Sequence, residues 1–417
     1  MNPFSRMSNT QNTITEFTPL SAQELGRFLR DNFANNKSNV YPVGGRTSLQ
    51  FLGTNNLSGT LLSTQNIADV IDYPARDMTI TVGAGMRVSD LSAILLEENQ
   101  ELPIDISHNP RATIGGGISC NVSGPRRYGQ GTFRDYLIGM AAVDSEGRTF
   151  HAGGRVVKNV AGYDLCKLMI GSRGTLGVLT EVTLKVKPKQ AKLEAVWINC
   201  DSFETVDSLS EKMLTSATRP VAMEGFTPEA CKFVVADARI SFPTNNPVLL
   251  VFYEGTEKEL LWQIGTLRNE LDLPGVLSVE EVGDESSLLL LGTLTEFPDG
   301  GDVPATFQAN MRPSRVASFL ESCTHRELSA VARMGNGIVI GHLPDDSGPE
   351  TQKQIIKDLS AHTREQGGNL ILLNAEDSIA SEVNWWGESE PSWNVMKKIK
   401  QSLDPAGILN PGAAPFE

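Results

Sequence analysis

Apolar positions along this chain switch repeatedly between a period of two and a period near three and a half, which predicts alternating strands and helices. Leu25, Phe28 and Leu29 share one face behind Ser21, a hydroxyl suited to an N-cap, so a helix is expected to about Arg30. Short β-rich runs follow at 40–43, 59–62 and 79–82. Gly83-Ala84-Gly85 then turns the chain into a helix that carries Val88, Leu91 and Leu95. A strand at 137–143 closes on Asp144-Ser-Glu-Gly147, with 149–152 expected to pair back across that turn. A further β-rich run spans 179–186, and Pro188 marks a boundary.

From about Lys192 the texture changes. Strands at 195–199, 248–253, 303–309 and 370–373 alternate with amphipathic stretches at 203–214, 257–270, 314–322 and 351–366. Such a pattern predicts an α+β unit with a mainly antiparallel sheet covered mostly on one side. A last helix from Ser392 to Leu403 stops at Asp404-Pro405-Ala406-Gly407, and Ile408-Leu409-Asn410-Pro411-Gly412 continues as an extended tail. The expected organisation is a disordered lead (1–17), a first domain (18–190), a second α+β domain (191–390) and a returning C-terminal helix and tail (391–417).

Composition narrows the classes. The 417 residues carry 36 Lys and Arg against 50 Asp and Glu, a formal charge of −14, which disfavours nonspecific binding to nucleic acid or to an anionic membrane. No apolar run approaches the ~20 residues of a bilayer-spanning helix. Residues 1–15 lack the apolar core of a secretory signal, so a cytoplasmic location is expected. The five cysteines, at 120, 166, 200, 231 and 323, include no C-x-x-C, against a zinc ribbon or an iron–sulfur cluster bound by this chain alone.

The candidate chemistry lies in glycine-rich stretches. Val43-Gly44-Gly45-Arg46-Thr47-Ser48 and Thr113-Ile114-Gly115-Gly116-Gly117 stand about seventy residues apart, each followed by small hydroxyl or amide residues. Glycine permits positive φ and close backbone approach, so two such loops suit the two charged groups of a diphosphate. Neither a Rossmann G-x-G-x-x-G fingerprint nor a P-loop G-x-x-x-x-G-K-[ST] occurs. Expected contacts are Pro42 to Ser48 on one phosphate and Thr113, Ile114, Gly115 and Gly116 on the other. Asn121, Ser123 and Gly124 would continue along the ligand. A tight strand-to-helix turn is the plain alternative for the first loop.

Ser123-Gly-Pro-Arg-Arg127, Val157-Lys-Asn-Val-Ala-Gly-Tyr-Asp164, Gly174-Thr-Leu-Gly-Val178 and Leu403-Asp-Pro-Ala-Gly-Ile-Leu-Asn-Pro-Gly412 carry a resemblance. Together they look like the flavin-binding family typified by vanillyl-alcohol oxidase and p-cresol methylhydroxylase (PCMH), over roughly 18–190 and 392–412. Within that family the resemblance is to the smaller FAD-binding subunits of bacterial glycolate oxidases. It implies a two-subdomain PCMH-type FAD-binding domain with an α+β cap domain, and adds Gly174, Gly177, Val178 and Asn410 to the cofactor contacts. It also implies two partners, a larger FAD-containing subunit that oxidises the small 2-hydroxy acid and an iron–sulfur subunit that carries electrons away, with membrane association only through the complex. Relatives that attach FAD covalently often place a histidine in the first loop. This loop has none, so noncovalent FAD is expected.

Histidines 108, 151, 325, 342 and 362 form no H-x-H or H-x-x-x-H pair. Hydroxy-acid-oxidising members of the resembled family carry a histidine-rich metal site in the second domain. The corresponding stretch here, Gly335 to His342, has one histidine, so no metal site is expected and His342 reads as structural. Arg127, Arg312 and Arg315 are the candidates for holding an anionic substrate, against an ordinary reading as surface charges. Asp164 reads as a helix cap. The alternatives to a complex subunit are a self-sufficient FAD-dependent dehydrogenase of a hydroxy acid or alcohol, and a non-catalytic flavin-fold scaffold.

Overall fold

The computed structural model describes residues 14–49, 58–154 and 163–417. Most of the Val157–Asp164 stretch therefore lies outside the described residues, as do residues 1–13. The chain divides into two compact units. The first runs to Ser123 and takes in Thr132–Lys189 and Ser389–Glu417, and the second holds Gly124–Gly131 and Gln190–Glu388.

In the first unit, Ile14–Phe17, Gly59–Ser63 and Val40–Val43 form a three-stranded parallel sheet with the 59–63 strand in the middle. The last four residues of the expected disordered lead are thus a strand. Phe17 stacks on Phe28 at 4.7 Å, and Thr15 shares a hydroxyl hydrogen bond with Thr60. Pairing with the 59–63 strand and partial burial of Ile14 and Phe17 outweigh the polar composition that made this segment read as disordered. Ser21 caps the helix Ala22–Asn35, its Oγ accepting from the Glu24 N–H. Leu25 and Leu29 from that helix pack on Val40, Leu62, Val143 and Val178, and the tail residues Ile408 and Leu409 complete the cluster.

A five-stranded antiparallel sheet follows in the order Val70–Asp72, Thr79–Gly83, Val178–Lys185, Leu137–Val143 and Thr149–Gly153. The last two pair across the expected turn, where Asp144 Oδ1 accepts from the N–H groups of Glu146 and Arg148. The helix Val88–Glu97 covers this sheet through Val88, Leu91 and Leu95.

The second unit is built on an eight-stranded sheet whose pairings are all antiparallel. Alternation sends Val196, Ile198 and Cys200 to one face, where the helices Phe203–Thr215, Glu257–Glu270, Val316–Thr324 and Pro349–Glu365 bury Phe203, Leu260, Phe319 and Ile356 against them. Trp197 points the other way, stacked between Phe226 and Phe242. The helices Pro228–Asp237 and Asp284–Glu296 contact strands of this sheet without joining the first face's core. One-sided cover therefore describes only part of the sheet. The Trp197 face is too apolar to stay bare.

His342 ends the strand Ile338–His342 inside this unit. Its Nδ1 shares a hydrogen bond of 3.0 Å with Thr306 Oγ1, and its ring lies 4.3 Å from that of Phe297. Burial pushes its pKa down to about 4, against smaller opposing effects of the Phe297 backbone and the Asp299 charge. An unfolded histidine titrates near 6.5, so between these values the unfolded chain binds the extra proton and the folded chain does not. Stability is then full above about pH 6.5 and falls as the pH drops toward 4, by roughly 3 kcal/mol at most. Urea unfolding at pH 7 and pH 5 should show this loss in the wild type, and His342→Phe should remove part of the difference. Equal pH dependence in both proteins would show that His342 does not carry it.

Candidate functional site

The first glycine loop leaves the strand Val40–Val43 and packs directly on the segment that enters the second. A Cβ on Gly45 would lie 1.8 Å from the Arg111 carbonyl oxygen, and one on Gly44 would lie 2.0 Å from Thr113 Oγ1. Neither glycine has a positive φ, nor do Gly115, Gly116 and Gly117. The expected left-handed glycine loops are corrected here, because close packing between backbone segments is what excludes a side chain. Left-handed backbone instead falls on Arg46, Arg173 and Asn410, with φ of 57°, 51° and 47°.

The second stretch is a short helix, Ile114–Cys120, capped by Thr113, whose Oγ1 accepts from the Gly116 N–H. Ile114 N–H donates to the Met86 carbonyl, Gly115 N–H to Ala84 and Gly117 N–H to Thr113. Those donors, expected on a phosphate, serve the fold. In the first loop the N–H groups of Gly44, Gly45, Thr47 and Ser48 make no backbone hydrogen bond among the described residues. Donors for an anion therefore concentrate in the first loop.

Between the two stretches lies an open cleft. Pro42, Val43, Gly44, Gly45, Arg46, Thr47 and Ser48 form one wall, and Thr113, Gly115 and Gly116 another. Gly174, Gly177, Val178 and Asn410 close it, so fourteen of the expected contacts meet around one space. Ile114 lies in the core, Asn121 caps the short helix at its C-terminal end, and neither it nor Ser123 lines the cleft. Gly124, assigned to the second unit, is not among the residues that line the cleft. His108 does not line the cleft either.

Six lining residues escaped the sequence reading, namely Leu49, Thr64, Ser119, Cys120, Arg173 and Leu179. Ser119 and Cys120 lie three and four residues beyond Gly116, so helical spacing would have found them had the stretch been read as a helix. Arg173 carries no such signal.

The electrostatics favour an anion. Among the described residues Arg46 and Arg173 line the cleft and no Asp or Glu does, although the whole chain is strongly acidic. Arg46 forms an ion pair with Glu16 of the neighbouring sheet. Burial lowers the Arg173 pKa, with the Cys120 sulfur opposing. Burial likewise pushes the Cys120 thiol up, against Arg173 and a hydrogen bond with Ser48. A neutral thiol leaves the guanidinium charge to the cleft. Apolar surface from Val43, Leu49, Val178 and Leu179 lines the rest, giving the mix of walls and few polar anchors of a cofactor cleft.

Residues 16–153 match a family model described as an FAD binding domain, and residues 385–414 match the C-terminal domain of FAD linked oxidases. Two stretches of this chain thus match the FAD-binding and C-terminal domains of FAD linked oxidases. The chain is 26% identical over 375 residues to glycolate oxidase subunit GlcE of Escherichia coli strain K12, covering 89% of this chain and 91% of that one. With D-lactate dehydrogenase of Archaeoglobus fulgidus it shares 26% over 411 residues, covering 94% and 89%. Among solved structures, alkyldihydroxyacetonephosphate synthase superposes with a TM-score of 0.67 at 18% identity, over 95% of this chain and 75% of that one. That likeness shows the fold.

The cleft fits FAD, with loop N–H groups and Arg173 suited to the diphosphate and apolar walls suited to rings. The substrate candidates lie elsewhere. Arg312 and Arg315 are exposed on the turn before the helix Val316–Thr324. Arg126 is ion-paired to Glu254 at 2.8 Å, and Gln130 donates to the other oxygen of that carboxylate. Burial, reinforced by Arg333 and opposed by Glu224, lowers the Arg127 pKa to about 10. In the second unit, then, Arg127 is part of a charged cluster rather than of a solvated pair. Asp164 caps the helix Leu165–Met169 through the Lys167 N–H.

Gly45→Ala should weaken FAD binding at least tenfold, because overpacking against the Arg111 carbonyl costs roughly 1–3 kcal/mol. Gly116→Ala, whose Cβ would meet only the Thr113 hydroxyl at 3.1 Å, should do less. FAD titration of each full-length variant checks the order, and equal affinities would show that the loop contact does not shape the cleft.

Proposed function

We propose that this chain is the FAD-binding subunit of a glycolate oxidase-like complex that converts a small 2-hydroxy acid to the 2-oxo acid. The observation that carries the cofactor half is a cleft lined by Arg173 and by no Asp or Glu among the described residues, beside loop N–H groups at Gly44, Gly45, Thr47 and Ser48 that lack a backbone partner among those residues. The subunit half rests on the likeness to GlcE, which runs nearly the length of both chains. When bound, FAD supplies a two-electron acceptor that can release electrons singly. The chain's own residues would hold it, with Gly44, Gly45, Thr47 and Ser48 presenting N–H donors and Arg173 a charge. Val178 and Leu179 would exclude water from one wall. The partners in this reading are a larger flavin-containing subunit that meets the substrate and an iron–sulfur subunit that takes the electrons.

A self-sufficient dehydrogenase is the second reading, favoured by the equal identity to D-lactate dehydrogenase. Against it, His342 is committed to Thr306 and to packing on Phe297. Anaerobic mixing decides between them. Dithionite should bleach the flavin of the isolated chain, whereas glycolate or D-lactate should bleach it only with the larger subunit present. Rapid bleaching of the lone chain by either hydroxy acid would overturn the subunit reading.

A further inference from the structure

Lys400 sits on the C-terminal helix Trp393–Leu403, whose remaining lysines are exposed, yet only 4% of its surface reaches solvent. Its ammonium donates to three acceptors, the Thr175 carbonyl at 3.0 Å, the Leu409 carbonyl at 2.6 Å and Asp404 Oδ2 at 2.7 Å. Three directed donors on one nitrogen match three acceptors from separate stretches of chain. Asp404 is itself buried, and its carboxylate also accepts from the N–H groups of Ile408 and Leu409. Burying an ion pair is costly unless hydrogen bonds satisfy both partners, as they do here.

The web lies against the cleft. Thr175 follows Arg173 and Gly174, which line it, and Leu409 precedes Asn410, which also lines it. The Asn410 side chain donates to the Arg173 carbonyl, and the Asn410 N–H donates to the Val40 carbonyl at the start of the strand that feeds the first loop. Arg173 and Asn410 both hold left-handed backbone, a conformation that persists only where surrounding contacts impose it.

We propose that Lys400 is a positioning residue for the cofactor, one that fixes the Arg173 turn and the Asn410 tail as a single wall and so links flavin binding to docking of the C-terminal tail. The proposal rests on the flavin reading of the cleft. Lys400 itself does not line the cleft, so its effect passes through Arg173 and Asn410. Closing the wall with a tail from the far end of the sequence makes FAD affinity sensitive to contacts outside the cleft.

Amide hydrogen exchange on the full-length wild-type chain, deflavinated and then reloaded with FAD, tests the link without a variant. FAD should slow exchange at Ile408, Leu409 and Asn410 at least tenfold. Lys400→Met and Asp404→Asn, assayed at a temperature where circular dichroism shows both folded, should bind FAD at least tenfold more weakly and lose that protection. A residue that only stabilises the fold would lower the melting temperature and leave both readouts alone. Wild type that binds FAD with unchanged exchange at 408–410, or folded variants with wild-type affinity, overturns the inference while the flavin reading stands. Wild type that takes up no FAD overturns both.

Discussion

The contact on which this site depends is the one between Gly44-Gly45 and the segment Arg111 to Thr113, where no side chain fits. It brings the edge of a parallel sheet against the start of a short helix, and the N–H groups of Gly44, Gly45, Thr47 and Ser48 take no backbone partner among the described residues. The second stretch makes the opposite choice. Its N–H groups close on Ala84, Met86 and Thr113, which fixes one wall while the other supplies donors. The two glycine-rich stretches differ in task although they look alike in sequence.

Charge follows the same division. A chain of net charge −14 repels anions at a distance, yet among the described residues the cleft wall carries two arginines and no carboxylate. Arg46 is neutralised in part by Glu16, and Arg173 lies partly buried near the Cys120 thiol, whose pKa burial raises. A local cation inside an acidic surface selects ligands that can reach the cleft and match its shape, rather than polyanions in general.

Much of the cleft was legible from sequence because its contacts cluster in local patterns. The glycine pair after a strand announces itself within a few residues, while the G-T-L-G-V run and the Asn-Pro-Gly tail were expected from the family resemblance. Arg173 and Lys400 carry neither signal, because their importance comes from partners far away in the chain, such as Thr175 with Lys400. Ile14–Phe17 was hidden by a polar lead, since its pairing with 59–63 is a long-range property. The helix Ile114–Cys120 was obscured by three glycines, which local propensity sets against helix and which tertiary hydrogen bonds and a Thr113 cap overrule. In the second unit, strands 329–333 and 338–342 are five-residue, largely apolar runs, too short for periodicity to tell strand from buried helix. Their place in the sheet comes from register with 222–226 and 305–310.

The most direct measurement is the flavin content of the purified full-length chain. About one FAD per chain, released by acid or heat without proteolysis, is the result this account requires. A colourless protein that stays so after incubation with FAD would contradict it, and flavin still attached after denaturation would contradict the noncovalent site.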